Sequence, residues 1–142
     1  MLVRHRMEHI EGLEDSFTKA KTVILTTFGV NGEKHERPMV NVNKSPFQAM
    51  EFTTYKNTRK VEDIKNNSEI SFKFPERVDS EYFEISGRAE FESDAIVQER
   101  WEFWYSEMHP WAKALFWFPR FIHHSNWTII RMIPLSVKKI RI

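Results

Sequence analysis

The run Thr22 to Val30 (TVILTTFGV), followed at once by Asn31-Gly32, constrains the fold more than any other part of the chain. β-Branched and aromatic residues suit a pleated, half-buried surface. Asn-Gly is the pair that best supplies the positive-φ positions of a tight hairpin turn. A strand over Thr22 to Val30 is therefore expected to fold back into a second strand, from about His35 to Asn43. With a two-residue period, Arg37, Met39 and Asn41 share one face of that strand, and Val40 and Val42 share the other. Pro38 lacks the N–H that a ladder needs, so it belongs at an edge, at a bulge or near the strand start.

The rest of the chain continues the pattern. Asp15 or Ser16 is expected at a helix edge, with Leu13, Phe17 and Ala20 on one side. Ser45-Pro46 signals a turn, and Phe47 to Thr54 reads as a third strand. A short helix is expected over Thr58 to Lys65, with Val61 and Ile64 as its inner residues and Asn66-Asn67-Ser68 as its end. Glu69 to Phe74 (EISFKF) alternates as a half-buried strand does. Pro75 to Ser80 reads as a loop. Glu81 to Glu92 reads as a longer strand, where Gly87 marks a bulge or a close backbone approach. Ser93-Asp94 is a good N-cap pair for a helix to about Met108, with Val97, Arg100, Trp101 and Trp104 at helical spacing. Trp127 to Pro134 and Val137 to Ile142 are expected to form a terminal strand or strand pair broken at Pro134. Most connections are too short for parallel crossovers. A mainly β fold follows: an antiparallel barrel of about six strands with a few covering helices, in one domain over 1–142.

Composition narrows the function. With 41% hydrophobic and 29% charged residues, a soluble globular class is expected. There is no cysteine, so disulfides and thiolate metal sites are excluded. Twenty-one basic side chains against 20 acidic ones argue against a general nucleic-acid binder. No run approaches the ~18 apolar residues of a membrane span. The opening residues MLVRHRMEHIEGL hold no continuous apolar segment, so a cytoplasmic setting is the expectation.

One stretch carries chemistry. After Phe52-Thr53-Thr54-Tyr55, the next helix opens with Thr58-Arg59-Lys60. A helix start leaves backbone N–H groups without partners and carries partial positive charge. Two cations there oppose the dipole, which favours an anion nearby. A hydroxyl, a guanidinium and an ammonium around free N–H groups make a candidate phosphate pocket.

These residues together resemble the pyridoxamine 5′-phosphate oxidase-like family, the FMN-binding split β-barrels. The resemblance rests on Arg37-Pro38-Met39, on Phe52 to Tyr55, on Thr58-Arg59-Lys60 with Asn66-Asn67 behind it, and on Gly87-Arg88-Ala89. It covers Lys21 to Gly87 well and the terminal strand more loosely. It implies FMN as cofactor, with Thr58, Arg59 and Lys60 holding its phosphate and Thr53 and Thr54 helping from the strand end. Arg37, Pro38 and Met39 would lie along the flavin ring. A homodimer with the cofactor at its interface is implied, as is an oxidoreductase acting on a small-molecule substrate. The chain lacks the C-terminal Arg-x-His with which the oxidase proper grips its substrate, so the resemblance is closer to the small general-stress-protein-like branch. A non-catalytic flavin-binding or stress protein is the alternative, as is the same fold holding deazaflavin or haem. No acid or base residue stands out as catalytic.

The aromatic skew remains, with much of it between Trp101 and Trp127. Core or dimer packing by Trp101, Trp104, Trp111, Trp117 and Trp127 is the simpler expectation, and a lid over the ligand the sharper one. His109 and His123-His124 lack companions at ligand spacing, so no metal site is expected.

Overall fold

A computed structural model describes residues 7, 10–75, 80–100 and 126–141. The elements in order are α1 (Leu13–Lys19), β1 (Thr22–Phe28), β2 (Lys34–Val40), β3 (Met50–Tyr55), α2 (Arg59–Asn66), β4 (Glu69–Phe74), β5 (Glu81–Phe91) and β6 (Trp127–Arg141). Residues 94–100 are also helical. The expected extension of that helix to Met108, four of the five tryptophans and His109, His123 and His124 fall outside the described residues.

The six strands form one sheet in the order β2-β1-β4-β5-β6-β3, with every neighbouring pair antiparallel. The β1–β2 hairpin runs in register from Thr22 opposite Val40 to Phe28 opposite Lys34. Its turn is closed by Gly32 N–H donating to the Gly29 carbonyl at 2.9 Å and Gly29 N–H donating to the Glu33 carbonyl at 2.8 Å. Gly32 has φ of 80°, a backbone state that a side chain disfavours. β2 is an edge strand, which is how Pro38 is tolerated in a ladder.

The sheet curls so that the chain just beyond β2 meets the other edge strand, β3. The Asn43 side chain closes that seam. Its Oδ1 accepts from Glu51 N–H at 2.8 Å and its Nδ2 donates to the Glu51 carbonyl at 3.0 Å. An amide side chain thus does what a seventh strand would. β2 accordingly ends at Val40 rather than Asn43. The Asn41 N–H still donates to the Lys21 carbonyl at 2.8 Å, and its side chain adds to that bond: Nδ2 donates to the Ala20 carbonyl at 2.9 Å and Oδ1 accepts from Asn43 N–H at 3.1 Å.

The inward residues of the strands fill the barrel. Leu25, Phe52, Phe72 and Ile130 are fully buried, and Leu13 and Phe17 of α1 plug the space beside them. Phe17 meets Phe74 edge-on with ring centroids 5.4 Å apart, a favoured aromatic geometry. α1 begins at Leu13, before Asp15, because Gly12 takes the left-handed N-cap position. β3 begins at Met50. Phe47, expected inside it, packs on the core from the preceding loop.

Two expectations meet at Gly87. The segment from Trp127 is one continuous strand of 15 residues, not a pair broken at Pro134. Register passes from Ser86 opposite Ser136 to Gly87 opposite Pro134, so Leu135 is an extra residue in a bulge. Pro134 also lies beyond the end of β3, whose pairing with β6 stops at Met132, so its missing N–H costs no bond on that side. A Cβ on Gly87 would fall 2.0 Å from the Ile133 carbonyl oxygen, closer than any side chain allows.

Among the described residues, no helix is long and apolar enough to cross a membrane.

Candidate functional site

The short helix α2 connects β3 to β4 and packs against β1. Its inner residues, Val61 and Ile64, are each 3% exposed. Thr58 is the N-cap residue, with extended backbone. Its hydroxyl donates back to the Tyr55 carbonyl at 3.2 Å and makes no cap bond to the helix. The N–H groups of the first turn are therefore left for another acceptor.

Cations gather at this helix start. Arg59 is exposed, and Lys60 and Arg37 are half-buried. Burial, and then the charge of Arg37, hold the Lys60 ammonium below the usual lysine value. Burial chiefly lowers the Arg37 pKa, Asp63 opposes that, and Arg59 adds to the lowering. Arg37 thus lies within like-charge reach of both Arg59 and Lys60. Among the described residues, neither Arg59 nor Lys60 has a carboxylate partner within ion-pair distance. Asp63 offsets part of the Arg37 charge, but Arg59 and Lys60 lack such a partner, and an anion at the helix start would relieve the excess.

Arg37 is brought there by register. It stands opposite Leu25, on the inward face with Met39 and next to Thr27 and His35 of the same barrel end. Its Nη1 donates to the Thr27 hydroxyl at 3.0 Å. That hydroxyl donates to Asp63 Oδ2 at 2.7 Å, and His35 Nδ1 lies 2.7 Å from the same oxygen. Asp63 is only 7% exposed. Burial alone would raise its pKa. Hydrogen bonds from His35 and Thr27, together with the charges of His35 and Arg37, more than offset this and hold it below the usual carboxylate value.

The other expected site residues are placed as follows. Thr54 is buried on the inner face of β3, and its hydroxyl has no side-chain bond among the described residues. Thr53 is half-buried and donates to the Thr128 carbonyl at 3.4 Å. Pro38 is exposed on the outer face of β2, whereas the Met39 side chain belongs to the barrel core. The structure thus gathers Arg37, Thr58, Arg59 and Lys60, and points Pro38 and the Met39 side chain elsewhere. Sequence reading missed Thr27, His35 and Asp63. The only hint was helical: Asp63 falls beside Ile64, at the rim of the buried stripe of α2. Among the described residues, no group of His, Asp and Glu could hold a metal ion.

The model of the family described as pyridoxamine 5′-phosphate oxidase like matches residues 8–133, so the chain belongs to that family. Three solved structures show the same fold. A Clostridium acetobutylicum protein related to general stress protein 26 is 19% identical, with a TM-score of 0.67 over 89% of this chain and 84% of its own. An F420 reductase is 16% identical, with a TM-score of 0.66 over 92% and 98%. A pyridoxamine 5′-phosphate oxidase-related, FMN-binding protein from Nostoc punctiforme is 16% identical, with a TM-score of 0.63 over 90% and 78%. No curated protein matches the sequence.

Proposed function

We propose that this protein binds FMN and uses it as an oxidoreductase, with the FMN phosphate at the start of α2. The carrying observation is the trio Arg37, Arg59 and Lys60: Arg37 lies close enough to repel each of the other two, and Arg59 and Lys60 have no carboxylate partner among the described residues. A dianionic phosphate needs several cationic donors in fixed positions, and free first-turn N–H groups complete such a cradle. The buried hydroxyl of Thr54, at the end of the preceding strand, would be a further donor in this reading. In this reading Arg37 serves the phosphate rather than the ring. The ring would lie along the edge strand β2, against Pro38 and the backbone at Met39, whose side chain is committed to the core.

Bound FMN would supply hydride or electron transfer. The chain's own part is binding and orientation. A homodimer with the cofactor between subunits is part of the proposal, as is a small-molecule second substrate. A deazaflavin in place of FMN is the second reading, favoured by the likeness to an F420 reductase. The same cationic cradle would serve a phosphate-bearing deazaflavin.

Titration with FMN, followed by flavin fluorescence, tests the site. The double variant Arg59→Ala, Lys60→Ala should weaken binding by about 2–5 kcal/mol, as expected for charge-assisted contacts that the bound ligand itself covers. Equal affinity for both proteins would overturn the phosphate assignment. Parallel titration with a deazaflavin decides between the two cofactors, and NAD(P)H oxidation by the loaded protein separates enzyme from binder. A Soret band in the purified protein would instead indicate haem.

A further inference from the structure

Four polar side chains from three elements are joined behind the cationic helix start. We infer that Asp63, Thr27 and His35 are positioning residues for the anion site: they set where the Arg37 guanidinium points and hold α2 against the hairpin that carries it. The inference rests on the phosphate reading of that site.

The direction of each hydrogen bond follows from its donors. The Thr27 hydroxyl has one proton, and the carboxylate 2.7 Å away can only accept it. The hydroxyl oxygen is therefore turned toward Arg37, whose Nη1 donates to it at 3.0 Å. A hydroxyl that donates to a carboxylate is polarised into a better acceptor. Asp63 thus draws Arg37 into place through Thr27, without forming an ion pair with it. That distinction matters. A direct Arg37–Asp63 salt bridge would occupy the guanidinium fork and cancel its charge. The relay uses one N–H and leaves the rest of the fork for a ligand.

His35 balances the carboxylate from the other side. Its Nδ1 lies on the same Oδ2 atom at 2.7 Å, and its Nε2 is 3.9 Å from Glu33 Oε1. Part of the Asp63 charge is thereby met by His35 rather than by Arg37. Thr27 and Asp63 are almost wholly enclosed, and β1, β2 and α2 each contribute a member. The relay ties the helix carrying Arg59 and Lys60 to the strand carrying Arg37, so the three cations keep one geometry.

FMN and riboflavin, which lacks the phosphate, provide the test when titrated by fluorescence against the full chain. Asp63→Asn and Thr27→Val should each lower FMN affinity roughly tenfold, in line with a misdirected charge-assisted bond. Riboflavin affinity should not change. Thr27→Ser, which keeps the hydroxyl, should bind FMN as the wild type does, and Thr27→Val should cost nothing further in an Arg37→Ala background. The inference is overturned if folded Asp63→Asn and Thr27→Val bind FMN normally, or if they lose FMN and riboflavin to the same degree, as a purely structural role would require. Should Thr27→Val not fold, Asp63→Asn and Thr27→Ser decide alone. Wild-type protein that binds no FMN overturns the flavin reading itself, and this inference with it.

Discussion

At the residue scale, Asp63 concentrates the most chemistry in the smallest space. Its carboxylate is buried and ionised because Thr27 and His35 bond it and Arg37 lies near. Its folded pKa is below the ordinary value of 3.8, so the unfolded chain takes up the proton first on acidification. The stabilisation is therefore complete above that ordinary value and is lost as pH falls through the lower, folded one. Asp63→Asn should be less stable than the wild type at neutral pH by about 1–3 kcal/mol, the cost of breaking a charged hydrogen-bond network. In urea denaturation over a series of pH values, the gap should narrow as pH drops below 3.8. A gap that stays constant would show that the carboxylate is not the source of the difference. Thr58, Arg59 and Lys60 could be read from the sequence because they are consecutive and open a helix. Asp63 could not, since its partners lie 36 and 28 positions away.

At the scale of elements, the two edge strands decide whether the barrel closes. β2 and β3 do not pair with each other, and an unpaired edge is open to other strands. Asn43 spans the gap with one accepted and one donated bond to the Glu51 backbone. Asn43→Ala should reduce stability by about 1–3 kcal/mol, because a half-buried N–H and C=O would both lose a partner. Asn43→Asp is the informative companion. It can still accept from the Glu51 N–H but cannot donate to its carbonyl, so an intermediate loss is expected. A urea midpoint that falls with an unchanged slope would assign the loss to the folded state. The hairpin, the α2 boundaries and β4 were legible because Asn-Gly, the Thr58 cap and strict alternation are local signals. β6 reads from the sequence as one strand or a pair broken at Pro134, for the opposite reason. Pro134 breaks a strand by local rules, and only the bulge opposite Gly87 shows why it does not.

At the scale of the molecule, the proposed dimer has a direct consequence. Val40 at the end of β2 and Tyr55 at the end of β3 are 41% and 55% exposed, on the two edges of the sheet. Tyr55 lies against Trp127 with ring centroids 4.1 Å apart and planes tilted by 35°, which builds an aromatic surface at the β3–β6 edge. Apolar surface of this kind is what a second subunit would cover. Light scattering should therefore return twice the chain mass of 17.1 kDa. A mass equal to one chain would remove the interface from the functional proposal.

What the sequence determined by itself is the antiparallel order of short strands, the hairpin at Asn31-Gly32 and the cationic start of α2. Each depends on residues within a few positions of one another. What only the tertiary structure decided is which strands form the edges, that Asn43 bridges them, and that Arg37 is aimed at α2 through Thr27 and Asp63. Those facts depend on strand register, which is set when distant segments bury their apolar faces together. A register shifted by one residue would turn Arg37 to the outer face and leave Arg59 and Lys60 without it.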